Sequence, residues 1–147
     1  MRKYILSLLL LTGMLLTLSS CSWFHGDESG KLGGYWHLTR IDTLATGGYA
    51  DLHEAPLFYA VEGGILEVRN VDKNEFLMFR YNHVGNTLSL YDARYNDRNI
   101  SDAAIDAVEV LRPYGINKLE ESFIVEELNG NHLVLRSDLL KLYFDKF

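Results

Sequence analysis

Between residues 35 and 144, apolar and polar side chains alternate in short runs, and Gly, Asn or Asp bounds most of them. A period of two turns successive side chains to opposite faces, so the pattern predicts half-buried β-strands. The expected strands are 36–42, 57–61, 65–68, 76–84, 87–91, 123–128, 132–136 and 140–144. In the first, Trp36 and Leu38 share one face, and Tyr35, His37 and Thr39 share the other. Glu62-Gly63-Gly64, Gly85-Asn86 and Asn129-Gly130 fall between consecutive strands, where a tight hairpin needs residues tolerant of positive φ. Residues 43–54 and 92–99 predict loops. Helical spacing occurs once, over 102–111, where Ala104, Ile105, Val108 and Leu111 share a face, Ser101 offers a cap and Pro113 blocks continuation.

An open meander of eight strands would leave two edges free to pair with other chains, which favours closure. The expected architecture is therefore mainly β, an eight-stranded antiparallel barrel with one short α-helix. A barrel of that size either fills with side chains or holds one small ligand. Strand parity and the aromatic supply make Leu77, Phe79, Tyr81, Leu88, Leu90, Phe123 and Phe144 the candidate lining of such an interior.

The first residues follow a different rule. Arg2 and Lys3 precede an apolar stretch over 4–18, which is too short for a bilayer span of about 20 residues and has the build of a secretory leader. Leu18-Ser19-Ser20-Cys21 then resembles the bacterial lipobox. That resemblance implies a signal peptide over 1–20 and a mature chain beginning at Cys21, which carries a diacylglyceryl thioether and an N-acyl chain. Two or more chains hold a protein stably at a bilayer, each buried methylene contributing about 0.8 kcal/mol. Trp23 and Phe24 come directly after the anchor and either seat in the headgroup region or pack in the linker. Ser22 stands where an Asp would signal retention, so enteric sorting rules imply the outer membrane. Residues 21–33, rich in Gly and Ser, read as a flexible tether, and 34–147 as the barrel domain.

Composition narrows the field further. The 147 residues are 48% apolar and 23% charged, the profile of one globular domain. Losing Arg2 and Lys3 with the leader leaves twelve basic residues against twenty acidic ones, a net charge of −8. An acidic chain without a basic run is not a nucleic-acid binder. A cationic partner remains open, which keeps a second reading alive: a non-catalytic interaction or inhibitor protein working through its acidic outer surface.

Gly34-Tyr35-Trp36 opens the first strand and is similar to the G-x-W signature of the lipocalins. With the implied acylation, the Arg112-Pro113-Tyr114-Gly115 turn and the closing Phe123-x-Val125, Leu133-x-Leu135 and Leu140-x-Leu142-x-Phe144 pattern, the chain resembles the lipocalin-like lipoproteins of gut anaerobes. The resemblance implies that Trp36 plugs one end of the barrel beneath a late basic residue, for which Arg136 is the nearest match. It also implies an envelope protein that binds a small apolar or amphipathic molecule. The T-D-Y motif and the disulfide of retinoid-type lipocalins are missing, so that site is not carried over.

Nothing points to catalysis or to a cofactor. His25, His37, His53, His83 and His132 show no metal-ligand spacing, and the pairs Glu120-Glu121 and Glu126-Glu127 read as solvated charges. There is no G-x-S-x-G, no glycine-rich phosphate loop and no second cysteine. Asp42-Thr43-Leu44 resembles a bacterial O-glycosylation site at Thr43.

Overall fold

Alternation becomes a closed sheet. The computed structural model describes residues 30–97 and 102–147. The leader, the lipobox residues Leu18, Ser19 and Ser20, Cys21, most of the expected tether and Ser101 lie outside the described residues. The strands are β1 (Gly34–Thr43), β2 (Tyr49–Asp51), β3 (Leu57–Glu62), β4 (Ile65–Asn70), β5 (Glu75–Val84), β6 (Thr87–Tyr95), β7 (Glu121–Leu128), β8 (His132–Arg136) and β9 (Leu140–Lys146). Every neighbouring pair from β3 to β9 is antiparallel, and β1 pairs with both β3 and β9. Eight strands therefore close into a barrel, leaving no free edge except along the short β2, which lies on β1 through Arg40↔Asp51 and Asp42↔Tyr49. The closing seam runs from Trp36↔Lys146 to Thr43↔Leu140.

Strand direction fixes the two ends. The closed end carries the start of β1, the end of β9 and the β3–β4, β5–β6 and β7–β8 hairpins. The opposite end, the mouth, carries the β4–β5 and β8–β9 loops and the described parts of the long β6–β7 connection, residues 96–97 and 102–120. Trp36, Leu38, Tyr59, Leu66, Val68, Leu77, Phe79, Leu88, Phe123 and Leu135 project inward and are buried.

The structure differs from expectation in several places. No α-helix forms over 102–111. Tyr95 N–H donates to Ala103 O and Ile105 N–H to Ala93 O, so the start of this stretch extends beside the end of β6 with an Arg94↔Ala104 bridge. Only two 3-10 turns follow, Val108–Val110 and Arg112–Tyr114. The sheet takes the backbone groups that a helix would have used. For the same reason β6 runs to Tyr95, into the expected 92–99 loop, and part of the 43–54 loop becomes β2. Asn129-Gly130 does not make a two-residue turn, because Asn129 Oδ1 accepts from the N–H groups of Asn131 and His132, at 2.8 Å each. A bulge between Leu38 and Arg40 turns Thr39 away from its expected solvent face; it is buried, and its hydroxyl donates to Tyr143 O at 3.2 Å. Finally, Gly30–Leu32, within the expected tether, form a 3-10 turn, and Leu32 is part of the core.

Candidate functional site

At the closed end, Trp36 is fully buried and donates its indole N–H to Leu32 O at 2.8 Å. The basic residue over its ring is not Arg136. Arg136 faces outward and donates to Glu126 at 2.6 Å; that carboxyl, also held by Lys141 at 2.7 Å, is kept below the usual carboxylate range first by Lys141 and then by Arg136. Lys146 takes the place expected for Arg136. Its Nζ lies 4.1 Å from the Trp36 ring centroid and donates to Gly33 O. The backbone explains the glycine of the G-x-W motif: Gly34 has φ +121°, which side chains rarely adopt, and the flexible tip of Lys146 lies over the space its missing Cβ leaves.

The expected lining residues do come together. Leu77, Phe79, Leu88, Leu90, Phe123 and Phe144 all belong to the core, where they pack side chain against side chain. Tyr81 stands apart. It reaches the closed end, half-buried, and borders a cleft of about 460 Å³ with Lys31, Asn82, His83 and Leu128. Its enclosed hydroxyl has no hydrogen-bond partner among the described residues. An unpaired buried oxygen is a cost rather than a gain, so Tyr81→Phe should leave stability unchanged or raise it by up to about 1 kcal/mol, read as a higher urea midpoint at constant slope.

The mouth is closed by the β6–β7 connection. Ile105, Leu111, Tyr114 and Ile116 enter the core from it, and apart from Leu32 they are the members of that core that do not belong to a strand. Tyr114 is stitched to the wall: its backbone O accepts from Tyr59 Oη at 2.7 Å, its hydroxyl donates to Glu75, and Asn70 Nδ2 donates to that hydroxyl at 3.4 Å. Gly115 follows at φ +82°, and a Cβ on it would meet Leu142 Cδ2 at 2.6 Å. At the start of β7, Glu121 is buried rather than solvated. Its carboxylate accepts from the N–H groups of Asn117 (3.0 Å) and Ser122 (3.3 Å). Strand parity with Phe123 was the signal that could have found it. On the outer rim, Lys73, Asn74, Glu75, Phe76, Tyr95 and Asn96 border a cleft of about 610 Å³.

Two phenols hold this closure in a proton-dependent way. Burial, with Glu75 beside it, pushes the Tyr114 hydroxyl up to about 12, and burial beside Glu121 raises Tyr59 as well. A raised pKa means that the folded chain prefers the neutral phenol. The associated stability is complete below pH 10, the ordinary tyrosine value, and is lost as the pH climbs toward 12. Absorbance at 295 nm should therefore show ordinary ionisation of exposed tyrosines near pH 10 and a later, cooperative phase that coincides with loss of sheet signal in circular dichroism.

Among the described residues, no three His, Cys, Asp or Glu side chains gather as a metal site. His37 bonds to Ala55 O, His53 pairs with Asp51 and His132 with Asp145, so these rings are spent on local contacts.

A lipocalin-like protein from Bacteroides uniformis is similar over 80% of this chain and all of its own, with 21% identity and a TM-score of 0.59. An uncharacterized protein from Bacteroides eggerthii is similar over 78% of this chain and 98% of its own, with 18% identity and a TM-score of 0.56. None of the curated proteins matches. A family model described as a lipocalin-like domain matches residues 14–147, and the chain belongs to that family.

Proposed function

We propose that this chain is a lipid-anchored lipoprotein of the bacterial cell envelope, held at the outer membrane through acylated Cys21, whose barrel takes up one small apolar or amphipathic molecule without catalysing a reaction. The observation that carries the ligand reading is the construction of the mouth. The wall is continuous β-sheet, whereas the plug beyond Ile105 is a connection attached at a few points, so Leu111, Tyr114 and Ile116 are core side chains that can leave without unpairing a strand. Displacement of Leu111, Tyr114 and Ile116 would expose a well walled by Leu77, Phe79, Phe123 and their neighbours, the mostly apolar surface that small-molecule sites present. Tyr59 and Asn70 would then offer polar groups at its entrance. The anchor reading rests on the lipobox resemblance.

Native mass spectrometry of gently extracted protein, with titration by an environment-sensitive naphthalene dye, tests the ligand. A co-purifying mass or a saturable one-to-one dye site, strengthened in Tyr114→Ala, is the expected result. A chain that carries no mass, and takes up no dye with or without that substitution, would end the proposal. Cys21→Ser tests the anchor separately, since it should abolish the acyl mass increment and membrane retention. The alternative, an interaction protein acting through its acidic exterior, draws on the crowding of acids around the mouth and predicts a defined crosslinked partner in cells.

A further inference from the structure

The two ends of the barrel differ in attachment. The described chain enters at the closed end through Gly30, and nine peptide links separate Gly30 from Cys21. Even fully extended, nine links reach at most about 30 Å. The mouth lies a barrel length further away, about 25 Å for a ten-residue strand tilted by roughly 40°. Exposed acids crowd that far end: Glu54, Asp72, Asp102, Asp106, Glu109 and Asp138 stand there against Lys73, Arg112 and Lys118. The closed end carries Lys31 and Lys146 against Glu62, Glu127 and Asp145, and the nine-link segment that leads to it adds Asp27 and Glu28. It also presents Phe147, 81% exposed, edge-on to Tyr35 and Phe58, and Val84 at a hairpin tip. Exposed apolar side chains and acids occur at both ends, so the point of attachment decides between them.

We infer that the closed end is a docking face for the bilayer surface, and that the mouth points away from the membrane into the aqueous compartment. This rests on the lipid-anchor reading. With the closed end down, the acids of the mouth stand several Debye lengths, each about 8 Å, from anionic headgroups and escape their repulsion. Phe147 and Tyr35 meet the interfacial zone that aromatic rings favour. Turned over, the chain would have to stretch the nine links to Cys21 to nearly their full reach of about 30 Å along the barrel. The consequence for the proposed ligand is that exchange takes place with water-borne carriers or solutes and not with lipid directly below the mouth.

The acylated full-length mature protein, reconstituted in vesicles that contain anionic lipid and a headgroup nitroxide, tests the orientation. An environment-sensitive thiol dye is placed at Asn86→Cys, on the closed-end β5–β6 hairpin, or at Ala107→Cys, on the exposed face of the mouth connection. Quenching should be several-fold greater at 86 than at 107. Equal or reversed quenching in protein that floats with the vesicles overturns the orientation alone. Protein that fails to float overturns the anchor and the orientation together.

Discussion

Replacing Trp36 with alanine is expected to cost about 3–5 kcal/mol, the range for truncating a large buried aromatic side chain. Three losses combine there. The fully buried indole leaves a cavity at the closed end, Leu32 O loses the donor that satisfies it, and Lys146 loses the ring beneath its ammonium group. Small domains hold only about 5–15 kcal/mol in total, so the variant should be partly unfolded at 37 °C. Trp36→Phe separates the terms. It keeps most of the apolar volume and a ring for Lys146 but abandons Leu32 O, and should cost about 1–2 kcal/mol. Urea unfolding followed by circular dichroism reads both, and an alanine variant within 1 kcal/mol of the parent would show that the closed end is not packed around this ring.

Gly115→Ala ranks second, at about 2–4 kcal/mol. The position has φ +82°, which costs an L-residue roughly 1–2 kcal/mol, and the new methyl group would arrive 2.6 Å from Leu142 Cδ2 and 3.0 Å from Cγ. Leu142 is fully buried, so its side chain cannot swing clear as a surface leucine would. The strain should be relieved locally, by lifting the connection off the mouth, because the barrel ladders do not depend on it. Amide exchange should therefore accelerate at Ile105, Leu111 and Ile116 while Leu77, Phe79 and Leu88 stay protected. Uniform acceleration throughout the domain would show that plug and barrel open as one unit.

The barrel was legible because a sheet with one wet face writes its register into the chain: Leu77 and Phe79 against Met78 and Arg80 leave little freedom. The plug was not, since Ile105, Val108 and Leu111 stand at helical spacing by coincidence while the backbone at Ile105 answers to the edge of β6. Lys146 over Trp36 was equally hidden. A single lysine beside the last residue has no periodicity to betray it, and only the seam between β1 and β9 carries it back to the ring. Trp36 on the inward face of the first strand followed from the alternating pattern, whereas the expected strands 36–42 and 140–144 stop short of Gly34 and Lys146, the ends that meet at its ring. The bulge that buries Thr39 did not, because no turn residue marks it.

That same seam sets the order in which the molecule can be made. Its partners, Trp36 and Lys146, are separated by almost the whole domain, so one edge of the first strand must wait unpaired until the last strand arrives, even after its other edge has joined β3. Such long-range closure is slow, of the order of milliseconds to seconds, and leaves a sticky intermediate in the meantime. A chain cut short before Leu140 would never lose its two raw borders and would be expected to zip onto its neighbours instead of onto itself.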